Sequence, residues 1–74
     1  MFWTIGAASK ELGEDPVTLR YWEGYFNLHI KRSKSKQRRY NKNTMSQLKE
    51  IIRLVRVEKY SLPGAKFKFR VGSE

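Results

Sequence analysis

The stretch Asp15-Pro16-Val17-Thr18-Leu19-Arg20-Tyr21-Trp22-Glu23 carries the strongest helix-start signal in the chain. The Asp15 carboxylate can accept from the free N–H groups of a first turn. Pro16 suits the first helical position, where its missing N–H costs nothing. Leu19, Trp22 and Phe26 then recur at i, i+3 and i+7 and make one apolar stripe. Thr18, Arg20, Tyr21, Gly24 and Tyr25 lie largely away from it. Gly24 costs about 1 kcal/mol of helix propensity against Ala, so the helix is expected to end soon after Phe26.

Upstream, residues 4–12 read as a shorter helix. Thr4 is a suitable N-cap, Ile5, Ala8 and Leu12 share a face, and Gly13 can take the left-handed conformation that stops it. Two short helices joined by a Gly-containing turn match a helix-turn-helix, spanning 4–27. In that arrangement the first helix braces the second, whose polar face fits a major groove about 12 Å wide. Val17, Thr18, Arg20 and Tyr21 sit in the first two turns, the end that would reach base edges.

Downstream the charge changes. The chain has 16 Lys and Arg against 7 Asp and Glu, a net charge of +9, and Lys31 to Lys42 holds seven of the basic residues with no acid. Such a segment attracts a polyanion. Residues 28–41 have polar turn residues between two short arms, which suggests a basic hairpin, with a flexible loop as the competing reading. Lys34, Lys36, Arg38 and Arg39 could then lie along a sugar-phosphate backbone without reading sequence. Residues 42–59 read as a longer helix capped by Asn41. Met45, Leu48, Ile52 and Val55 form its stripe, with Ile51 and Leu54 widening it. Lys49, Arg53 and Arg56 line another face, expected to be solvated. Residues 60–64 read as a break, within which Ser61 could cap a short helix over 61–69, followed by a frayed tail over 70–74. Phe67, Phe69 and Val71 also alternate as a strand would. The expected fold is mainly α: one domain over 1–74, a winged helix-turn-helix with a small β-hairpin wing.

Much else is excluded. A chain of 74 residues buries only about 60% of its unfolded surface, leaving little room for an enzyme cleft. There is no cysteine and one histidine, His29, so neither a disulfide framework nor a Cys- or multi-His metal site is expected, and no cofactor. No carboxylate pair, nucleophile–base pair or phosphate-cradling glycine loop is evident. No apolar run approaches a membrane span, and no secretory signal pattern opens the chain, so a cytoplasmic protein is expected. RNA or lipid binding could use the ten aromatics or the 42–59 helix. Trp22, Phe26 and the apolar face of that helix are needed for the core, which leaves little for either.

The segments TIGAASKELGEDPVTLRYWE (4–23), QRRY (37–40) and KYSLPGAK (59–66) resemble the DNA-binding domain of MerR-type transcription regulators. The resemblance implies sequence-specific binding of double-stranded DNA. Thr18, Arg20 and Tyr21 match DNA-facing positions of the recognition helix, and Leu19 and Trp22 match core positions. Arg38, Arg39 and Tyr40 match wing residues that contact phosphates or support those contacts. Tyr40 could equally pack the wing onto the second helix. Glu23 is expected to pair with a wing arginine, since phosphate repels a carboxylate. Two departures stand out: Ala8 where the family prefers a larger apolar residue, and Lys59 where a glycine is frequent. Family members usually continue into a dimerisation helix and an effector-binding region. A homodimer is therefore expected if a longer parent chain exists, and no small-molecule effector site is expected within these residues. The alternative is an excisionase-like architectural protein that bends DNA.

Overall fold

The computed structural model describes residues 2–32, 34 and 37–72. In chain order it contains β1 (Phe2–Trp3), α1 (Ile5–Leu12), α2 (Pro16–Tyr25), β2 (Lys31–Arg32), β3 (Arg38–Asn41) and α3 (Lys42–Ile52). A π-helical turn over Arg53–Val57 and α4 (Leu62–Gly72) complete it.

The caps act as the residue types require. Thr4 Oγ1 accepts from the Ala7 N–H at 3.1 Å, and Asp15 Oδ1 accepts from the Val17 N–H at 2.9 Å. Asn41 Oδ1 accepts both the N–H and the hydroxyl of Thr44, at 2.8 and 3.0 Å. α1 closes on Gly13, whose φ of 69° is left-handed, and the Glu14 N–H returns to the Ser9 carbonyl at 3.2 Å. α2 closes the same way with Asn27 at φ 56°, the Leu28 N–H reaching Glu23 O at 2.9 Å. These six-to-one closures satisfy carbonyls that a helix end would leave bare.

One core unites the elements. Ala8 of α1, Leu19, Trp22 and Phe26 of the α2 region, Tyr40 of β3, and Met45, Leu48 and Ile51 of α3 are all buried. Leu54 of the π-helical turn and Ala65 and Phe69 of α4 complete it. Phe69 meets Phe26 edge-to-face, with ring centroids 5.5 Å apart. α4 thereby packs back onto the end of α2.

The structure departs from the sequence expectations in four places. The hairpin exists, but as part of a three-stranded antiparallel sheet ordered β1-β3-β2. β1 pairs Phe2 with Asn41 and Trp3 with Tyr40. Two residues show no alternation, and their partner lies far along the chain. The 42–59 helix is not uniformly α. It widens at Arg53–Val57, where the Glu58 N–H bonds to Arg53 O at 2.8 Å. The buried stripe runs through Ile51 of α3 and Leu54 of the π-helical turn, with Ile52 and Val55 only half-buried. The last helix reaches Gly72, past the expected end at 69, and Phe67 and Val71 are exposed on it, which disposes of the strand alternative.

Candidate nucleic-acid interface

The start of α2 faces solvent. Val17 is 63% exposed and Tyr21 54%, Arg20 is exposed, and Thr18 is half-buried. Tyr21 is not loose: its ring stacks on Tyr25 with centroids 5.8 Å apart and planes 18° from parallel. Lys66 of α4 lies over Tyr25 at 5.0 Å. The aromatic pair thus ties the exposed face of α2 to the last helix.

The wing is built from like charges. β2 and β3 pair Lys31 with Arg39 and Arg32 with Arg38, two cation–cation pairs directly across the strands. Directly opposed like charges destabilise a hairpin, so each needs relief. Strand alternation separates the two faces. Arg38 and Tyr40 point inward toward α2, while Arg39 and Asn41 point outward with Phe2.

On the inner face, Glu23 is the junction. It is 8% exposed, and a carboxylate so buried must be partnered. Arg38 Nε donates to Glu23 Oε1 at 3.0 Å and lies 2.9 Å from Oε2. The Tyr40 hydroxyl donates to Oε2. Burial, then the hydrogen bond to Glu23 and its charge, push the Tyr40 phenol well above its ordinary range. Arg38 and Arg20 oppose that shift with their positive charge. No buried side-chain nitrogen or oxygen among the described residues lacks a hydrogen-bond partner. The expected pairing of Glu23 with a wing arginine therefore has a definite partner, Arg38, and a second one, Tyr40.

This arrangement corrects one site assignment. Tyr40 is fully buried, so it cannot touch a nucleic acid; it joins the wing to α2 instead. Arg38 keeps 25% of its side chain exposed and borders an open cavity of about 270 Å³ with Thr4, Ile5 and Gln37. Arg39 is exposed, with its guanidinium over the Phe2 ring at 4.3 Å from the centroid. Lys34 is exposed in the hairpin turn, and Lys36 lies outside the described residues. Lys31 and Arg32, absent from the expected contacts, are exposed on β2 without an acidic partner among the described residues. The basic run contained them, but only the strand register shows that they face Arg39 and Arg38.

The basic row on the third helix is different. Arg53 pairs with Glu50 and Glu58, and Arg56 forms a two-pronged pair with Glu14 at 3.1 and 2.9 Å. The Arg56 guanidinium also lies 5.6 Å from the Trp22 ring centroid. All three members of the row are exposed, as expected of a solvated face; two of them also pair with acids, and Arg56 braces the turn between α1 and α2.

Over residues 3–70 the sequence matches the family model described as MerR HTH family regulatory protein. The chain belongs to the MerR family. No curated protein sequence matches it significantly. Among solved structures, it is similar to HiNmlR, a MerR family regulator lacking the sensor domain, in its crystal form bound to promoter DNA. The two superpose with a TM-score of 0.82 at 20% identity, which establishes the shared fold. The match covers 97% of this chain and 55% of HiNmlR, so the chain spans about half the length of that MerR regulator. In MerR-family terms, α1 and α2 are the helix-turn-helix and the β2–β3 hairpin is the wing.

Proposed function

We propose that this chain is a sequence-specific double-stranded DNA-binding unit of a transcription regulator, working in the cytoplasm. The observation that carries the reading is the Glu23–Arg38–Tyr40 junction. It joins an exposed helix start to a hairpin whose two described cross-strand pairs are both cationic. A polyanion would relieve that charge, and a groove would receive that helix.

In this reading Val17, Thr18, Arg20 and Tyr21 meet base edges in the major groove. Arg20 can take guanine or a phosphate, and the Thr18 and Val17 methyl groups can meet a thymine methyl. Lys34, Lys36 and Arg39 meet the phosphates. Arg38 contributes its remaining guanidinium donors while its Nε stays on Glu23. Tyr40 holds the wing. The domain binds without catalysing a reaction. One copy covers half of a pseudo-palindromic site, and two copies fill the site when joined as a homodimer. HiNmlR, bound to promoter DNA, supports the choice of ligand.

The test is selection from random duplex DNA, then titration of the best and a scrambled duplex at several salt concentrations. A preferred half-site with a steep salt slope is expected. Steep salt dependence without preference would favour an architectural, DNA-bending role. No binding at low salt would refute the reading.

A further inference from the structure

Phe2 is 49% exposed, and the two-residue strand that holds it gains little by leaving an aromatic ring in water. The register explains its place. Phe2 lies opposite Asn41, which puts it diagonal to Arg39 on the outer face of the sheet. Diagonal neighbours are within reach of long side chains. The Arg39 guanidinium carbon is 4.3 Å from the Phe2 ring centroid, inside the range for a cation–π contact. On the other side Arg39 faces Lys31 directly across the β2–β3 pair. The guanidinium is therefore repelled from β2 and attracted to β1. Its neighbour Arg38 has its Nε engaged by Glu23, on the opposite face.

We propose that Phe2 is the positioning residue for Arg39: its ring holds the guanidinium on the outer sheet face as the principal phosphate contact of the wing. The inference rests on the DNA-binding reading above. A guanidinium lying over a ring keeps the N–H donors around its edge, and a phosphate takes two of them side by side. Holding the long side chain in advance reduces the entropy lost on binding. The attraction is specific to an aromatic face, because it arises from the ring quadrupole and not from apolar area. Leucine would fill similar space and give no such hold.

The experiment titrates the 74-residue chain against the selected duplex for Phe2→Leu, Phe2→Trp, Arg39→Ala and the Phe2→Leu/Arg39→Ala double variant. Each variant is also melted thermally, and salt slopes are taken. Phe2→Leu is expected to weaken binding about two- to fivefold, the equivalent of an exposed cation–π contact. Phe2→Trp should retain affinity. Arg39→Ala should lower the salt slope by about one phosphate. In the Arg39→Ala background Phe2→Leu should have no further effect on binding. An equal loss in both backgrounds would mean that Phe2 only holds the strand, and would overturn the proposal, as would a Trp variant as weak as Leu. Full affinity of Phe2→Leu would overturn it while leaving DNA binding intact. A parent chain that binds no duplex would overturn both.

Discussion

Lys59 stands in a conformation that its side chain opposes, and replacing it with glycine should stabilise the domain. Its φ is 63°, in the left-handed region. Among the described residues two others close a helix this way, Gly13 and Asn27, both types that tolerate it. Lys59 follows the wide π-helical turn, and the Tyr60 N–H returns to Leu54 O at 3.1 Å. That hydrogen bond and the burial of Leu54 hold the strained residue in place. A Cβ in this region costs about 1–2 kcal/mol. Glycine loses about 0.5–1 kcal/mol of that advantage through its freer unfolded chain. The net gain is about 0.5–1 kcal/mol, or about 2–8 °C in Tm for a domain of this size. Lys59→Ala is the reference, since it removes the same charge and long side chain but keeps Cβ. Because Lys59 is exposed, Lys59→Ala should stay within about 0.5 kcal/mol of the parent. Lys59→Val should fall below both, because a β-branched residue fits this region worst. Urea and thermal unfolding followed by circular dichroism read the series. An unchanged urea m-value would mean that stability alone has changed. If Lys59→Gly proved no more stable than Lys59→Ala, the left-handed strain would not be there and the reasoning would fail.

Four further outcomes follow from the junction and the two faces. Tyr40→Phe leaves the buried Glu23 carboxylate short of a donor and should cost about 1–3 kcal/mol in urea unfolding. Because Tyr40 holds its proton more tightly when folded, the unfolded chain releases it first. Stability should therefore be complete below about pH 10 and fall as the pH rises from there through the folded value, an effect the Phe variant should lack. A Tm profile as flat for the parent as for the variant would contradict this. Arg38→Ala with Arg39→Ala should weaken binding to every duplex alike and flatten the salt slope, and unchanged affinity would remove the wing from the interface. Thr18 and Arg20 substitutions should instead change the preferred sequence, by about 1–3 kcal/mol where a bidentate contact is lost. A uniform loss would reduce them to phosphate contacts.

Local chemistry accounts for what could be read in advance. Asp15-Pro16, Thr4, Gly13 and Asn41 act within a few residues of themselves, so the starts of α1, α2 and α3 follow from residue type alone. The stripe of Leu19, Trp22 and Phe26 reads the same way, because a helix fixes which residues share a face. The excess charge of 31–42 is a property of composition and needed no fold. These features determined the helix-turn-helix and the polyanion reading.

Tertiary structure decided the rest, because those features depend on partners distant in the chain. β1 is a strand only because β3 offers it an edge. The widened turn at Arg53–Val57 and the strained Lys59 are held where Leu54 enters the core and the chain must turn back into α4. Arg56 meets Glu14 across 42 residues, and nothing near either predicts the other. Above all, the sequence presents Arg38, Arg39 and Tyr40 as one basic-aromatic run. Strand alternation sends Arg38 and Tyr40 inward to a buried carboxylate and leaves Arg39 on the outside, against Phe2. Charge and residue type were present in the sequence; which face each side chain occupies came from the register of the sheet and from the burial of Glu23, which forces its neighbours to satisfy it.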